Sequence, residues 1–513
     1  MGVLPLRDKV IIMNQSINST PQSWSYLPSL PKKEQKQLLR VFWLIALGLV
    51  FYELFLVKDT PFVSKLGAVF VTVAALLPNY LWCSGRAKGM PIFPFFALTH
   101  IWTYGLPLVT NHPTVLTYSV ENQLFASLTV AGFLILGTSV WFSFVKSIPR
   151  TPKFYRTLGN RKGNKFFFFI LIVGVFFNVS FYGNWGWLSL INGGLFTAFR
   201  AAILGLNALA TFVLAYQLGN KELNKLQSIF FIFLLSAYMI TNSLGYLLVG
   251  ASSSFLLAAI AFTISSKKVP LIPIIIVLVC VSLLHYGKGE MRHKYWGTTE
   301  YYLQPWEYPT RYAEWIGYSL DYVNKQNEQE NVSKKEEKSS FFERASVVQM
   351  LLLSQKQSPD PIPYMYGQTY SILPELIVPR IFNPNKIRSH EGTSLLNVHY
   401  KLQTREQSLA TTIGWGLLAE SYANFGLMGC GGLAIILGGA YGKATRWSIN
   451  APILSVQSLF AVMMMSFAFQ SEYSAGVYVA ALSQSSTVLA CISLFLMRKQ
   501  RVSSYRFQGG RTA

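Results

Sequence analysis

The chain has 513 residues, of which 51% are hydrophobic and 13% are charged, and its mean hydropathy is +0.34. Soluble domains carry about 25% charged residues, so this composition favours a membrane protein. The net charge of +22 does not indicate nucleic-acid binding, because the basic residues border apolar stretches, where anionic lipid attracts them. All four cysteines lie in or at the end of apolar stretches, which excludes a disulfide framework and a CxxC metal site.

Apolar stretches recur along the chain at the length that a membrane span requires, which is about 20 residues for a helix. They predict an all-α polytopic membrane protein with about twelve transmembrane helices. The first stretch follows a polar tail and precedes no small-residue cleavage site, so it is an anchor rather than a signal peptide. The predicted spans are 39–57, 65–83, 94–110, 124–145, 165–183, 198–217, 226–243, 246–264, 269–286, 424–443, 452–470 and 475–497.

The basic residues predict how these helices are oriented. More than half of the 44 Lys and Arg residues lie in the two tails and in alternate connections, whereas the short connections on the other side hold only Lys58 and Lys65. Cytoplasmic loops collect Lys and Arg, so both termini are expected in the cytoplasm, with the helices in the inner membrane. The expected organisation is a cytoplasmic tail (1–38), nine helices (39–286), a large periplasmic loop (287–412), three helices (413–497) and a cytoplasmic tail (498–513).

The loop over 287–412 contains most of the 22 acidic residues. Apolar residues at helical spacing predict amphipathic helices over 312–323 and 341–353, lying on the membrane or on each other. The polar stretch between them, 326–340, lacks such spacing and is expected to be flexible. Glycine-rich phosphate loops, HExxH, GxSxG and DxD motifs are absent from the sequence, which argues against nucleotide hydrolysis.

Three groups of polar residues near the ends of this loop are candidates for chemistry. In the first, Lys288 and Arg292 are four residues apart at the exit of the ninth span. If the helix continues past Gly289, both point to one side and can bind a phosphate; otherwise they only mark the membrane interface. Arg200, at the start of the sixth span, is a further candidate or a side chain that snorkels to the interface.

The second group follows the apolar run that ends in Pro379 and Arg380. A guanidinium donates two parallel hydrogen bonds and suits a diphosphate, so Arg380 is a candidate catalytic residue, unless it pairs with Glu375. Lys386 and Arg388 are expected to bind the same phosphates.

The third group begins at Arg405 and runs into the tenth span through Glu420, Tyr422 and Asn424. Glu420 and Asn424 share a helix face, and such groups are costly in lipid unless they face a polar cavity. Glu420 is therefore a candidate acid or base, or a carboxylate that only interacts with the helix dipole.

A general base must reach the acceptor hydroxyl, and its candidates lie close in sequence to the cations. Glu391 and His390 are favoured because they are within three residues of Arg388, although a solvated His–Glu pair is the more ordinary interpretation; His399 and Glu420 are the alternatives.

The chain resembles the bacterial O-antigen polymerases, also called oligosaccharide repeat-unit polymerases. The resemblance rests on 287–296, on Pro379 and Arg380 leading to Asn385 and Lys386, and on 420–426, together with twelve spans and a late outer loop. In the family pattern a proline follows the lysine, whereas here Ile387 does. Arg405 and Gly416 also fit a loose spacing of such polymerases.

This resemblance implies a metal-independent membrane glycosyltransferase that needs no cofactor. It would join undecaprenyl-diphosphate-linked oligosaccharides into a surface polysaccharide, such as O-antigen of lipopolysaccharide or an exopolysaccharide, at the periplasmic face. Arg200, Lys288, Arg292, Lys386, Arg388, Arg405, Tyr422 and Asn424 would bind the diphosphate or the saccharide. Its partners would be that lipid-linked saccharide, membrane lipid, a chain-length regulator and a flippase. The alternatives are an O-antigen ligase and a transporter of lipid-linked oligosaccharide; the transporter would place charges in mid-membrane and lack the exported loop.

Overall fold

The computed structural model describes residues 32–501 apart from 59, 111, 151, 159, 192, 267, 297, 299–300, 330–345, 379–382, 384 and 411. Arg380 therefore lies outside the described residues, as does most of the stretch predicted to be flexible.

The described chain is mostly helical. A π-helical turn, Tyr52–Leu56, extends the first helix, and a π-helical and a 3-10 turn, Ile101–Gly105 and Leu106–Leu108, extend the third. The helices are α1 Lys32–Phe51, α2 Phe62–Cys83, α3 Ile92–His100, α4 Pro113–Leu116, α5 Val120–Val145, α6 Asn160–Tyr182, α7 Gly193–Gly219, α8 Lys225–Ser243, α9 Leu248–Ser266, α10 Leu271–Tyr295, α11 Tyr308–Gln329, α12 Val348–Gln357, α13 Leu373–Ile377, α14 Glu391–His399, α15 Arg405–Ala410, α16 Gly416–Ser448, α17 Val456–Ala468 and α18 Ala475–Phe495.

Ten of these helices are long and apolar enough to cross a membrane, and the protein is an all-α polytopic membrane protein. They are α1, α2, α5 to α10, α16 and α18. The two other predicted spans correspond to shorter features. One is the interrupted helix over 92–108, and the other is α17, which has 13 residues.

Glycines let α5 and α16 pack closely. A Cβ placed on Gly438 would lie 2.5 Å from the carbonyl oxygen of Gly137, and one on Gly442 would lie 2.8 Å from the ring of Phe144. Helices in lipid associate mainly through such close packing of small residues. The guanidinium of Arg446 completes the contact by donating to the Phe144 carbonyl at 2.8 Å.

A short antiparallel sheet, which the sequence did not predict, joins distant parts of the chain. Strand β1, Phe154–Thr157, pairs with β2, Arg498–Arg501, and Thr157 also forms a bridge with Ser455. Three segments that the basic residues assign to the same side therefore meet at one end of the helix bundle.

Helix α16 bends sharply at Phe425 and Gly426, which have φ of −141° and +61°. Its two parts fold back on each other, since the Cys430 thiol contacts the Leu418 carbonyl at 3.9 Å. In a straight helix, residues twelve apart are separated by about 18 Å. Residues 416–424 are thus a short buried helix, and the predicted span starting at 424 begins at the bend.

Two parts of the predicted loop pack on the membrane helices. Helix α10 continues to Tyr295, beyond the predicted end at 286, and α11 lies against it: Trp315 donates to the Leu284 carbonyl at 2.7 Å, and Ser319 accepts from the Gly287 amide at 3.1 Å. This confirms a helix over 312–323. It also corrects the start of the predicted flexible stretch, because α11 extends to Gln329.

Helix α12 is buried among the spans rather than lying on the membrane surface. Leu351 and Leu352 are fully buried, and Gln355 donates to the Thr129 hydroxyl of α5 at 2.9 Å. The described half of the predicted helix 341–353 is therefore part of the core, because it carries apolar side chains on most of its faces.

Candidate functional site

Lys288 and Arg292 occupy the same helix, as the sequence predicted for a helix that continues past Gly289. The guanidinium of Arg292 donates to the Tyr246 carbonyl through Nε at 3.1 Å and Nη2 at 2.7 Å, and its Cζ lies 4.6 Å from the centre of the Trp296 ring. The Lys288 ammonium lies 3.4 Å from Nδ1 of His285. These contacts hold both cations at the end of α10 that faces the loop.

Glu472 lies near these two cations, in the connection between α17 and α18. Burial raises the pKa of its carboxyl, and the positive charges of Lys288 and Arg292 oppose that shift. Glu472 is nevertheless an exposed residue that solvent can reach. A carboxylate in this setting can accept a proton while the neighbouring cations hold a negatively charged group.

Arg200 borders the same place from the start of α7. Its guanidinium lies 5.3 Å from the Phe181 ring. Its charge also opposes the upward pKa shift that burial gives Tyr473, the residue next to Glu472. Arg200, Lys288 and Arg292, named here the cation cluster, thus come from two helices, and their charges act on the neighbouring residues Glu472 and Tyr473.

The described residues on either side of Arg380 are bound to other parts of the protein. Lys386 is buried and its ammonium donates to the Leu376 carbonyl. Glu375 accepts from the Ile387 amide at 3.1 Å and from the Asn383 side chain at 3.4 Å, so it binds this loop. Arg388 is exposed and donates to the Leu409 carbonyl at 3.0 Å.

The favoured base candidate Glu391 forms an ion pair with Arg405, with 2.7 Å between Oε1 and Nη2. The structure thus brings two predicted site residues together, as partners of each other. His390 precedes the helix that Glu391 begins, and His399 contacts the Pro363 carbonyl at 2.8 Å.

Glu420 is fully buried and accepts a hydrogen bond from the Ala475 amide at 2.6 Å. Ala475 is the first residue of α18, so the carboxylate lies at the positive end of that helix dipole. This helix is not the one that Glu420 enters, and the predicted role of Glu420 as an acid or base stays a prediction.

Asn424 and Tyr422 are also buried in the protein. Asn424 donates to the Thr369 hydroxyl and to the Glu420 carbonyl, both at 2.8 Å, and its Oδ1 accepts from the Gly367 amide at 3.0 Å. Tyr422 is 5% exposed. Asn424 thus bonds the loop to the bent helix, and the Tyr422 ring lies 6.2 Å from that of Tyr364 in the loop. The contact of either residue with a saccharide stays a prediction.

The cation cluster is the part of the predicted site that the structure assembles, and sequence reasoning missed its carboxylate. Glu472 is the only acidic residue after Glu420, and it lies between two apolar stretches. That isolation was a usable signal, since a carboxylate near lipid is rarely placed without a polar contact. Among the described residues, no group of three or more His, Cys, Asp or Glu side chains is arranged to hold a metal ion.

Comparison with known proteins does not identify a family for this chain. No protein-family model matches the chain, and neither does any curated protein or solved structure.

Proposed function

We propose that the chain is a membrane glycosyltransferase that polymerises undecaprenyl-diphosphate-linked oligosaccharide repeat units on the periplasmic side of a bacterial inner membrane. The observation that carries this proposal is the cation cluster at the loop-side end of α10 and the start of α7, whose charges act on Glu472 and Tyr473. It supplies separate groups for a diphosphate and for a proton.

The proposed orientation follows from the path of the chain. Counting the interrupted helix over 92–108 and the short α17 as crossings gives twelve spans. An even number puts both tails on one side, in agreement with the distribution of basic residues and with the pairing of β1 and β2. The loop and Glu472 then face the periplasm, where lipid-linked saccharides are joined.

In the proposed reaction, a hydroxyl at the nonreducing end of the acceptor attacks the anomeric carbon of the donor saccharide. The new carbon–oxygen bond forms as the bond to the diphosphate breaks, and the leaving undecaprenyl diphosphate keeps the electron pair. Lys288 and Arg292 stabilise its developing charge, which is where fixed cations contribute most to catalysis. Glu472 takes the proton of the attacking hydroxyl.

The cation cluster supplies the test. Cells that lack this protein are complemented with the wild-type chain or with variants, and their surface polysaccharide is separated by gel electrophoresis. Wild type should give a ladder of polymer lengths, whereas Glu472→Gln and Arg292→Gln should leave a single repeat unit. Lys401→Gln, which removes an exposed loop cation outside the cluster, is the control and should keep the ladder.

The pattern of the cells without the protein separates the alternatives. If these cells accumulate polymer on its lipid carrier, without transfer to lipid A, the chain is a ligase and not a polymerase. If they trap lipid-linked single units on the cytoplasmic side, the chain is a transporter. A full ladder with Glu472→Gln would remove Glu472 as the base.

A further inference from the structure

A large apolar groove lies between α16, α17 and α18, apart from the cation cluster. Its volume is about 670 Å³, within the range of about 300–1,000 Å³ usual for ligand sites. It runs along α16 from Met428 to Ala440, a distance of about 18 Å at the helical rise per residue. Such a shape suits a hydrocarbon chain better than a compact ligand.

The bend in α16 shapes this groove. It places Phe425 against Tyr370, with the two rings nearly parallel and 6.2 Å between their centres. Gly429 and Gly432 then leave one wall without side chains, and a Cβ on Gly432 would meet no atom within 4 Å. The groove is open on one side, where Met428 is 88% exposed.

The position of the groove indicates which chain occupies it. Its loop-side end is formed by Tyr370, Ser421 and the start of α18 at Ala475. Ala475 is three residues after Glu472, so this end of the groove adjoins the connection between α17 and α18 that carries Glu472. A lipid whose diphosphate is at the cluster can therefore place its chain along α16.

We infer that the groove binds the polyprenyl chain of a lipid diphosphate, and this rests on the proposed function for the identity of the lipid. The chain exchanges contacts with lipid for contacts with an apolar wall, so close packing rather than hydrophobic transfer favours the long chain, as for helices that associate in lipid. The groove acts by orientation, since it fixes the direction from which the diphosphate reaches Lys288 and Arg292.

The test measures binding to the purified full-length chain in phosphatidylglycerol nanodiscs. The two probes are undecaprenyl diphosphate and geranyl diphosphate, which carry the same headgroup on a long and a short chain. Wild type should prefer the long chain by at least about tenfold in Kd. Gly432→Trp fills the groove and should bring the two affinities to within about twofold.

Gly439→Trp is the matched control. Gly439 is also on α16 with no atom within 4 Å of its Cβ position, but it does not line the groove. This variant should keep the wild-type preference. Ala440→Trp, at an exposed position of the groove wall, repeats the test should Gly432→Trp fail to fold.

The outcomes separate this inference from the proposed function. A preference for the long chain that survives both groove variants would overturn the inference. Loss of the preference in the groove variants supports it even if the cells show no defect in polymerisation, because the readout is binding. If wild type gives a normal ladder but binds the long and the short lipid equally well, the proposed function stands and the inference about the groove is wrong.

Discussion

Replacing Gly426 by alanine tests whether the bend in α16 is built into the protein. Gly426 has φ of +61° and ψ of −145°, a conformation that costs other residues about 1–3 kcal/mol. Alanine recovers about 0.4–1 kcal/mol through the less flexible unfolded chain. Its Cβ would also lie 2.8 Å from the Tyr364 hydroxyl, and overpacking of this kind costs about 1–3 kcal/mol. The net loss of stability should be about 2–4 kcal/mol.

Gly432→Ala provides the control on the same helix. Its backbone is helical and its surroundings are open, so alanine should stabilise the protein by about 0.5–1 kcal/mol. Both variants are compared with wild type by thermal unfolding in detergent. Repeating Gly426→Ala in a Tyr364→Ala background removes the contact and leaves the backbone strain, which should still lower the midpoint. Equal midpoints for Gly426→Ala and wild type would refute the argument from backbone conformation.

Four further predictions follow from the site and the topology. Lys288→Met removes one of the charges that lower the pKa of Glu472, so Glu472 stays protonated to higher pH, and the acidic limb of kcat/KM should move to higher pH; an unmoved limb would exclude Glu472 as the base. Arg380→Ala should abolish polymer formation and Arg380→Lys should restore little of it, because an ammonium lacks the guanidinium fork; full activity of the lysine variant would leave only electrostatics. A cysteine at Ser339 should react with an impermeant thiol reagent in intact spheroplasts, whereas labelling only after lysis would reverse the topology. Purified protein should polymerise lipid-linked substrate in excess EDTA, and activity that depends on added magnesium would contradict the metal-independent mechanism.

Hydropathy predicted most membrane helices to within a few residues, because transfer from water to lipid dominates the choice of these segments. For example, the predicted spans 65–83 and 226–243 correspond to Phe62–Cys83 and Lys225–Ser243. The same property says nothing about the direction that a helix takes inside the bundle. The bend at Gly426 depends on a positive φ that glycine permits but does not require, so the composition of the segment could not reveal it.

The polar residues of the site were predicted less completely than the helices. Charge spacing brought Lys288 and Arg292 onto one face because the helical period fixes that relation within a single element. The ion pair of Glu391 with Arg405 and the approach of Glu472 to α10 depend on contacts between elements, which one sequence does not specify. The polar end of α10 was also assigned to the loop, because the packing of Trp315 and Ser319 against it is not visible in hydropathy.

The pairing of β1 with β2 and of α5 with α16 has a consequence for biosynthesis. The first member of each pair leaves the ribosome nearly 300 residues or more before the second. During that interval Gly137 and Phe144 of α5 face lipid or a neighbouring early helix rather than the glycines of α16. The strand Phe154–Thr157 stays unpaired for longer, until Arg498–Arg501 has been synthesised. Assembly of the early helices is therefore completed by the last part of the chain to be translated, and a ribosome that stops before residue 498 releases a protein with an unpaired strand edge.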